Sequence, residues 1–395
     1  MTMQSRAAPS IPSPDEMLAR ARALAPVLRT RSAAAEAARR CPPETIADMR
    51  AAGIHRIVQP KRFGGYGMEW DTMCETAMEL GQGCGGQAWA ITVLADHPCL
   101  AGMFSGQAQY DVWGKDPDML VSTSYNPRGN VRRVDAGYVL NGRWKFSSGV
   151  EYSGWTIVGG FVEREGGKRQ HHFFLVPAAD RRIVDDWNAM GMASSGSFSF
   201  DLVDAFVPEH RALDASLVAA GDPPGARVND EPLYRMPIIG FTGTVLVSVS
   251  IGVAMGMVRD FETMLRERAG PGPLKTGIED MQMRLAEAGA ETECARLLVL
   301  ESGRANMRKL RSGQRLDEGD ASLTSRNSAY AARLVKQVAT RLFEVSGGSG
   351  LLASGHMQRG FRDVFGGTAH GTLHWGRSAA RYGNHVLGWP PNLPF

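Results

Sequence analysis

The sequence predicts an α+β protein in which an N-terminal helical domain, a middle antiparallel β domain and a C-terminal helical bundle follow one another. Three observations carry this. Acid-capped runs of good helix formers occupy most of residues 14 to 115. From Met119 the period changes to short runs rich in Val, Phe, Tyr, Thr and Ser, parted by Gly and Asp turns. After Leu233 three helical stretches return that are much longer than an average helix. The predicted domain boundaries are 1–117, 118–220 and 221–395.

In the first region, PSPDEMLARARALAPVLRT opens on Ser13 as an N-cap, followed by Pro14 and acids in the first turn, where the helix dipole favours them. CPPETIADMRAAGI repeats the pattern and ends at Gly53. Pro60 and Gly64-Gly65 then break the helix, and a further helical region runs from Trp70 to Phe104, interrupted near Gly81 to Gly86. MLVSTSY, GYVLNGRWKFSS, WTIVGGFVE, HHFFLVPA and SFSFDLVDAFVP read as strands of a small barrel or sandwich. The long stretches Ile238 to Arg268, Gly277 to Ser312 and Asp317 to Val345 need partners along their whole length, which a bundle supplies.

Composition narrows the function. Of 395 residues, 43% are hydrophobic and 22% charged, as in an ordinary globular protein. Lys+Arg 44 against Asp+Glu 41 gives +3 with no basic arm, so no nucleic-acid partner is expected. The N-terminus lacks the apolar core of a secretory signal, and a cytoplasmic location is expected. Five cysteines, odd in number and without CxxC spacing, fit reduced thiols better than a disulfide framework. No charge falls between Arg235 and Arg259, so Met236 to Val258 is long enough to cross a bilayer. Pro237, several hydroxyls and the recurrence of Ser248, Gly252 and Gly256 every four residues argue instead for a buried bundle helix with one small face, and no membrane is expected.

Several residues invite a chemical reading. Trp144, Ser147 and Ser148 stand where a strand enters a turn and could bond the edge of a flat heterocycle, although serines before glycine are ordinary turn formers. Ser124 in VSTSYNPRG is equally ambiguous. Gly347 and Gly348 could admit a phosphate, yet glycine C-caps are the commoner use, and the segment is no GxGxxG fingerprint. His370 and His374 stand four apart but lack a Glu between them and a third ligand; His171 and His172 point to opposite faces of a strand. No metal site is expected. His97 interrupts the apolar ITVLADHPCLAGMF and is either a satisfied core histidine or a proton-transfer group, the core reading being the commoner for a lone residue.

The order of the three regions, with WKFSSG in the middle and FRDVFGGTAHGT near the end, resembles the acyl-CoA dehydrogenase fold over nearly the whole chain. That fold implies a C-terminal four-helix bundle. The two positions where those dehydrogenases carry their catalytic Glu hold none here: Gly371 replaces one, and Met236 to Val258 contains no carboxylate. VSTSYNPRG, GYVLNGRWKFSSG, WTIVGG, RLFEVSGGSG and YGNHVLGWPP are similar instead to the oxygenase components of two-component flavin-dependent monooxygenases. Among these are the hydroxylases of secosteroid phenols and of 4-hydroxyphenylacetate and, more distantly, of dibenzothiophene.

This resemblance implies reduced FMN or FAD delivered by a separate flavin reductase, O2 as co-substrate, and ortho hydroxylation of a small phenolic compound through a flavin C4a-hydroperoxide. By the same resemblance His97 is the base that deprotonates the phenol, His370 holds the oxygenated end of the flavin, and Ser147 contacts it near N5, with Ser124, Trp144, Ser148, Gly347 and Gly348 as further flavin contacts. Arg268 is a candidate for the flavin phosphate. Its surroundings depart from the dehydrogenase pattern: AGPG follows it, and Glu344 stands where a Gln is usual, which leaves FMN and FAD both open. Tyr125, Trp187 and Met190 are candidate substrate-lining residues. A homotetramer is implied, and the uncharged bundle helix is expected to fit a subunit-packed core. The alternatives are an oxygenase of the same fold acting at nitrogen, sulfur or an indole carbon, or an acyl-CoA dehydrogenase-like enzyme.

Overall fold

The computed structural model describes residues 11–238, 240–269 and 278–390. The N-terminal region holds α1 (Pro14–Ala38), α2 (Pro43–Ala51), α3 (Trp70–Gly81), α4 (Gly85–Ala101) and α5 (Gly106–Trp113). The first of these begins as its residues dictate: Ser13 Oγ accepts the Glu16 N–H and the Glu16 carboxylate accepts the Ser13 N–H, a reciprocal capping box. All residues of α4 are buried, which explains why its sequence is apolar with no polar face. It forms the axis on which the other regions converge.

The β region comprises β1 (Val121–Pro127), β2 (Asn130–Val134), β3 (Gly137–Ser148), β4 (Trp155–Glu163), β5 (Arg169–Pro177), β6 (Arg181–Val184), β7 (Ser197–Pro208) and β8 (Ala212–Asp214), followed by the short α6 (Ala215–Ala219). Two four-stranded sheets, ordered β1-β4-β5-β8 and β2-β3-β7-β6, enclose a core that includes Leu140, Trp144, Val158, Phe174, Phe198 and Phe200. The expectation of a purely antiparallel domain needs one correction, because β1 and β4 pair in parallel. Between them the chain leaves as the β2–β3 hairpin in the opposite sheet, and a crossover of that length permits parallel neighbours.

The C-terminal region contains α7 (Thr242–Ala269), α8 (Ile278–Arg311), α9 (Glu318–Val345), α10 (His356–Thr368) and α11 (Trp375–Leu387). The small face of α7 meets α3. A Cβ on Gly252 would lie 2.1 Å from the Met78 carbonyl oxygen and 2.9 Å from Gly81 Cα, so only glycine admits this approach. Although α7 is long and apolar enough to cross a membrane, 78% of its most apolar window is buried inside the chain. Within the chain, α3 covers the small face of this helix.

Candidate active site

His97 lies on α4 facing β1. Its Nδ1 is 3.1 Å from the Val121 carbonyl oxygen, which can only accept, so Nδ1 carries the proton. Its Nε2 then accepts from the Thr123 hydroxyl at 2.8 Å. Burial holds the imidazole down at about 3, so it is neutral at physiological pH. The Tyr125 ring stands edge-on to His97 with centroids 5.8 Å apart, and its buried hydroxyl makes no hydrogen bond of good geometry. Both ring nitrogens are thus partnered, as in a core histidine, while Asp96 Oδ1 and the Tyr125 hydroxyl beside the ring are not.

The end of β3 forms the second part. Its register shifts between Trp144 and Ser147, and Phe146 adopts φ 60 there, a left-handed backbone unusual for an aromatic residue. The bulge sends the Phe146 ring out to solvent, edge-on to Trp187, and turns Ser147 inward. The Ser147 hydroxyl is fully buried and has no partner. Gly149, at φ 70, closes the turn so near to α4 that a Cβ would lie 2.8 Å from the Leu94 side chain. Ser148 Oγ accepts the Trp89 indole N–H at 3.1 Å, and the Trp89 ring lies 6.4 Å from that of His370.

His370 follows α10 and is exposed at the surface of the chain. Its Nδ1 accepts the Thr372 backbone N–H at 3.3 Å, which leaves the proton on Nε2, free to donate. Although one side of the residue is open to solvent, the protein crowded around the ring lowers its pKa and favours the neutral form. Around Gly367, three residues earlier, gather Trp89, Met192 and Ser250, whose buried hydroxyl also lacks a partner. His97 and Trp89 are eight residues apart on α4, about 12 Å. One helix thus presents a hydrogen-bond acceptor near one end and, beside the other, a donor.

The remaining candidates divide. Tyr125 joins His97, and Trp187 joins Phe146; Met190 is exposed, its carbonyl held by Arg362 at 2.6 Å. Ser124 Oγ donates to the Lys145 carbonyl and ties β1 to β3. The Ser148 hydroxyl is engaged by Trp89 and Ser197. Trp144 is a correction: it is completely buried between the sheets, stacked on Phe200, with its N–H bonded to the Gly159 carbonyl at 2.9 Å, so its face is closed to a cofactor. Gly347 and Gly348 are exposed just before α10, whereas His370 follows that helix; about 18 Å of helix separates them, and the two do not converge within this chain. Arg268 falls in the last turn of α7, with its side chain outside the described residues. His370 and His374 do not share a helix face, because each caps a separate helical segment. No cluster of His, Cys, Asp and Glu able to hold a metal occurs among the described residues.

Sequence reasoning missed Asp96, Thr92 and Ser250. Asp96 is 1% exposed, its Oδ1 has no hydrogen bond, and that atom lies 3.5 Å from His97 Nε2. A carboxylate inside ITVLADHPCL was the available signal, overshadowed by the adjacent histidine.

The succession of a helical region, a two-sheet β region and a helical bundle defines an acyl-CoA dehydrogenase scaffold. Residues 16–105 match the family described as acyl-CoA dehydrogenase, N-terminal domain, and residues 244–375 match acyl-CoA dehydrogenase, C-terminal domain. The chain is 31% identical to the FADH(2)-dependent resorcinol hydroxylase, oxygenase component, of Rhizobium sp. (strain MTP-10005), with 95% of each chain covered. It is 30% identical to the flavin-dependent monooxygenase, oxygenase subunit HsaA, of Rhodococcus jostii (strain RHA1), covering 93% of this chain and 97% of that one. The crystal structure of 3-HSA hydroxylase from Rhodococcus sp. RHA1 superposes with a TM-score of 0.92 at 29% identity, over 96% of this chain and 99% of that one. The chain belongs to the acyl-CoA dehydrogenase family and, within it, to the flavin-dependent monooxygenase oxygenase components.

Proposed function

We propose that this protein hydroxylates a small phenolic compound ortho to its hydroxyl group, using reduced FAD or FMN supplied by a separate reductase and O2. The observation that carries the reading is the opposed state of the two histidines: Nε2 of His97 is a buried acceptor, and Nε2 of His370 is a free donor. The unpartnered Ser147 and Ser250 hydroxyls support a polar heterocycle such as a flavin between them. Reduced flavin with O2 supplies the electrophilic oxygen.

The residues of the chain do the rest. Ser147 and the His370 Nε2–H would hold the polar edge of the ring. His97 Nε2 accepts the phenol proton, which raises electron density at the ortho carbon. The Thr123 hydroxyl is a rotor, so a substrate hydroxyl can replace it at Nε2. Burial around His97 keeps water from the reacting atoms. Four buried free thiols fit a reducing, cytoplasmic setting. Exposed Val386, Leu387 and Trp389 on and beside α11 support a homotetramer, since a lone chain gains nothing by leaving them in water.

The test is turnover of a panel of phenols, indoles and thioethers with reductase-supplied FADH2 or FMNH2. A catechol-type product one oxygen heavier supports the reading. Oxidation confined to the thioethers or indoles, or flavin tightly held as isolated with acyl-CoA oxidation, would replace it.

A further inference from the structure

His97 alone is a weak base for a phenol. Its protonated form is disfavoured by burial, and an ordinary phenol has a pKa near 10, so proton transfer between the two is steeply uphill unless another group stabilises the oxygen left behind. That group stands next to it. Asp96 Oδ1 is buried, makes no hydrogen bond and lies 3.5 Å from the very nitrogen that receives the proton. Thr92, one turn earlier on the same face of α4, and Tyr125 also hold buried hydroxyls without partners. Two orphaned polar atoms beside one imidazole, with a third on the helix face of Asp96, are costly to a folded chain unless a ligand completes them.

We propose that Asp96 is a catalytic residue whose carboxyl O–H donates to the oxygen of the aromatic hydroxyl that His97 deprotonates. Building on the phenol reading above, this makes the site a matched pair: an acceptor for the substrate proton and a donor for the substrate oxygen. The substrate O–H bond breaks, its proton forms an N–H bond at His97 Nε2, and the electron pair stays on oxygen, held by the Asp96 O–H, which keeps its own proton. No electron is exchanged in this step.

The surroundings of Asp96 fit the protonated state that a donor needs. Desolvation is the sole influence on it, pushing its carboxyl well above the usual range, with no cation among the described residues to offset it. Its titratable neighbours are His97, Tyr125, Cys74 and Cys99. Burial holds His97 down at about 3, Cys74 up at about 12, and Tyr125 and Cys99 far up as well. None of them changes charge between pH 6 and 9. The substrate class follows: an uncharged aromatic hydroxyl, because an anionic group beside Asp96 would meet no positive charge.

The experiment uses 4-cyanophenol, anaerobically, on the protein with reduced FAD bound, and follows the phenolate absorbance against pH. Asp96→Asn keeps a donor of the same shape; Asp96→Leu removes it. We expect the bound phenol of the wild type to ionise at lower pH than in Asp96→Leu by about one to two units, the worth of one hydrogen bond to a charged group. Asp96→Asn should stay close to wild type. The hydroxylation rate of Asp96→Leu should fall roughly ten- to a hundredfold. Its Tm should equal or exceed that of the wild type, because the buried Oδ1 has no hydrogen bond to lose. Unchanged ionisation in Asp96→Leu, or a clearly lower Tm, would make Asp96 a structural residue and overturn the proposal. A wild type that ionises and hydroxylates no phenol would instead sink the phenol reading itself.

Discussion

At the scale of single residues, chemistry depends on which nitrogen carries a proton. His97 and His370 are both neutral, yet a carbonyl on one and a backbone N–H on the other set opposite tautomers. His97→Asn should therefore slow hydroxylation by roughly a hundredfold or more while flavin oxidation continues, so that product per flavin oxidised collapses in single-turnover kinetics. His370→Ala should lower that same ratio with phenol ionisation intact, because its proposed role is to hold the cofactor. The pH dependence of stability follows from His97. Its folded pKa, about 3, lies below its unfolded value near 6.5, so its contribution is complete above pH 6.5 and is lost as pH falls toward 3. Urea midpoints at pH 7 and pH 5 should drop more in the wild type than in His97→Asn. Asp363, raised to about 6, acts in the opposite sense, which is why the comparison with the variant is needed.

At the scale of elements, the sequence was most legible where periodicity and punctuation agreed. Ser13, Pro14 and Glu16 announce α1, and Gly81 to Gly86 announce the break between α3 and α4. The missed strands β2, β6 and β8 are short edge strands, with sequences such as NVRRV and RRIV whose charges blunt an edge and hide the alternation. The bulge at Phe146 was invisible for a different reason: a left-handed φ on an aromatic residue runs against its own preference, and only the pairing of β3 with β7 imposes it. Trp144 misled because an aromatic beside two serines looks like a flavin contact, when its burial is set by the opposite sheet. Contact between α3 and α7 yields a further prediction. Gly252→Ala should destabilise the protein by about 1–3 kcal/mol in urea unfolding, since backbone rather than a flexible side chain occupies the space.

At the scale of the whole molecule, the residues of the proposed site come from three regions remote in sequence: α4 carries His97 and Asp96, the end of β3 carries Ser147, and the segment after α10 carries His370. Long-range assembly of this kind is not written in local pattern, so the candidate residues could be named from resemblance but their pairing could not. Leu351, Leu352, Val386, Leu387 and Trp389 remain exposed on the single chain. Light scattering should report a tetramer, and Trp389→Glu should shift it toward smaller species with the fold retained. A single turnover of the protein with reduced FAD, the best-converted phenol of the panel and 18O2 separates hydroxylation from uncoupled flavin oxidation. One labelled oxygen in the catechol-type product, lost in His97→Asn, is the predicted result; label recovered only in hydrogen peroxide with every phenol would contradict phenol hydroxylation by this site.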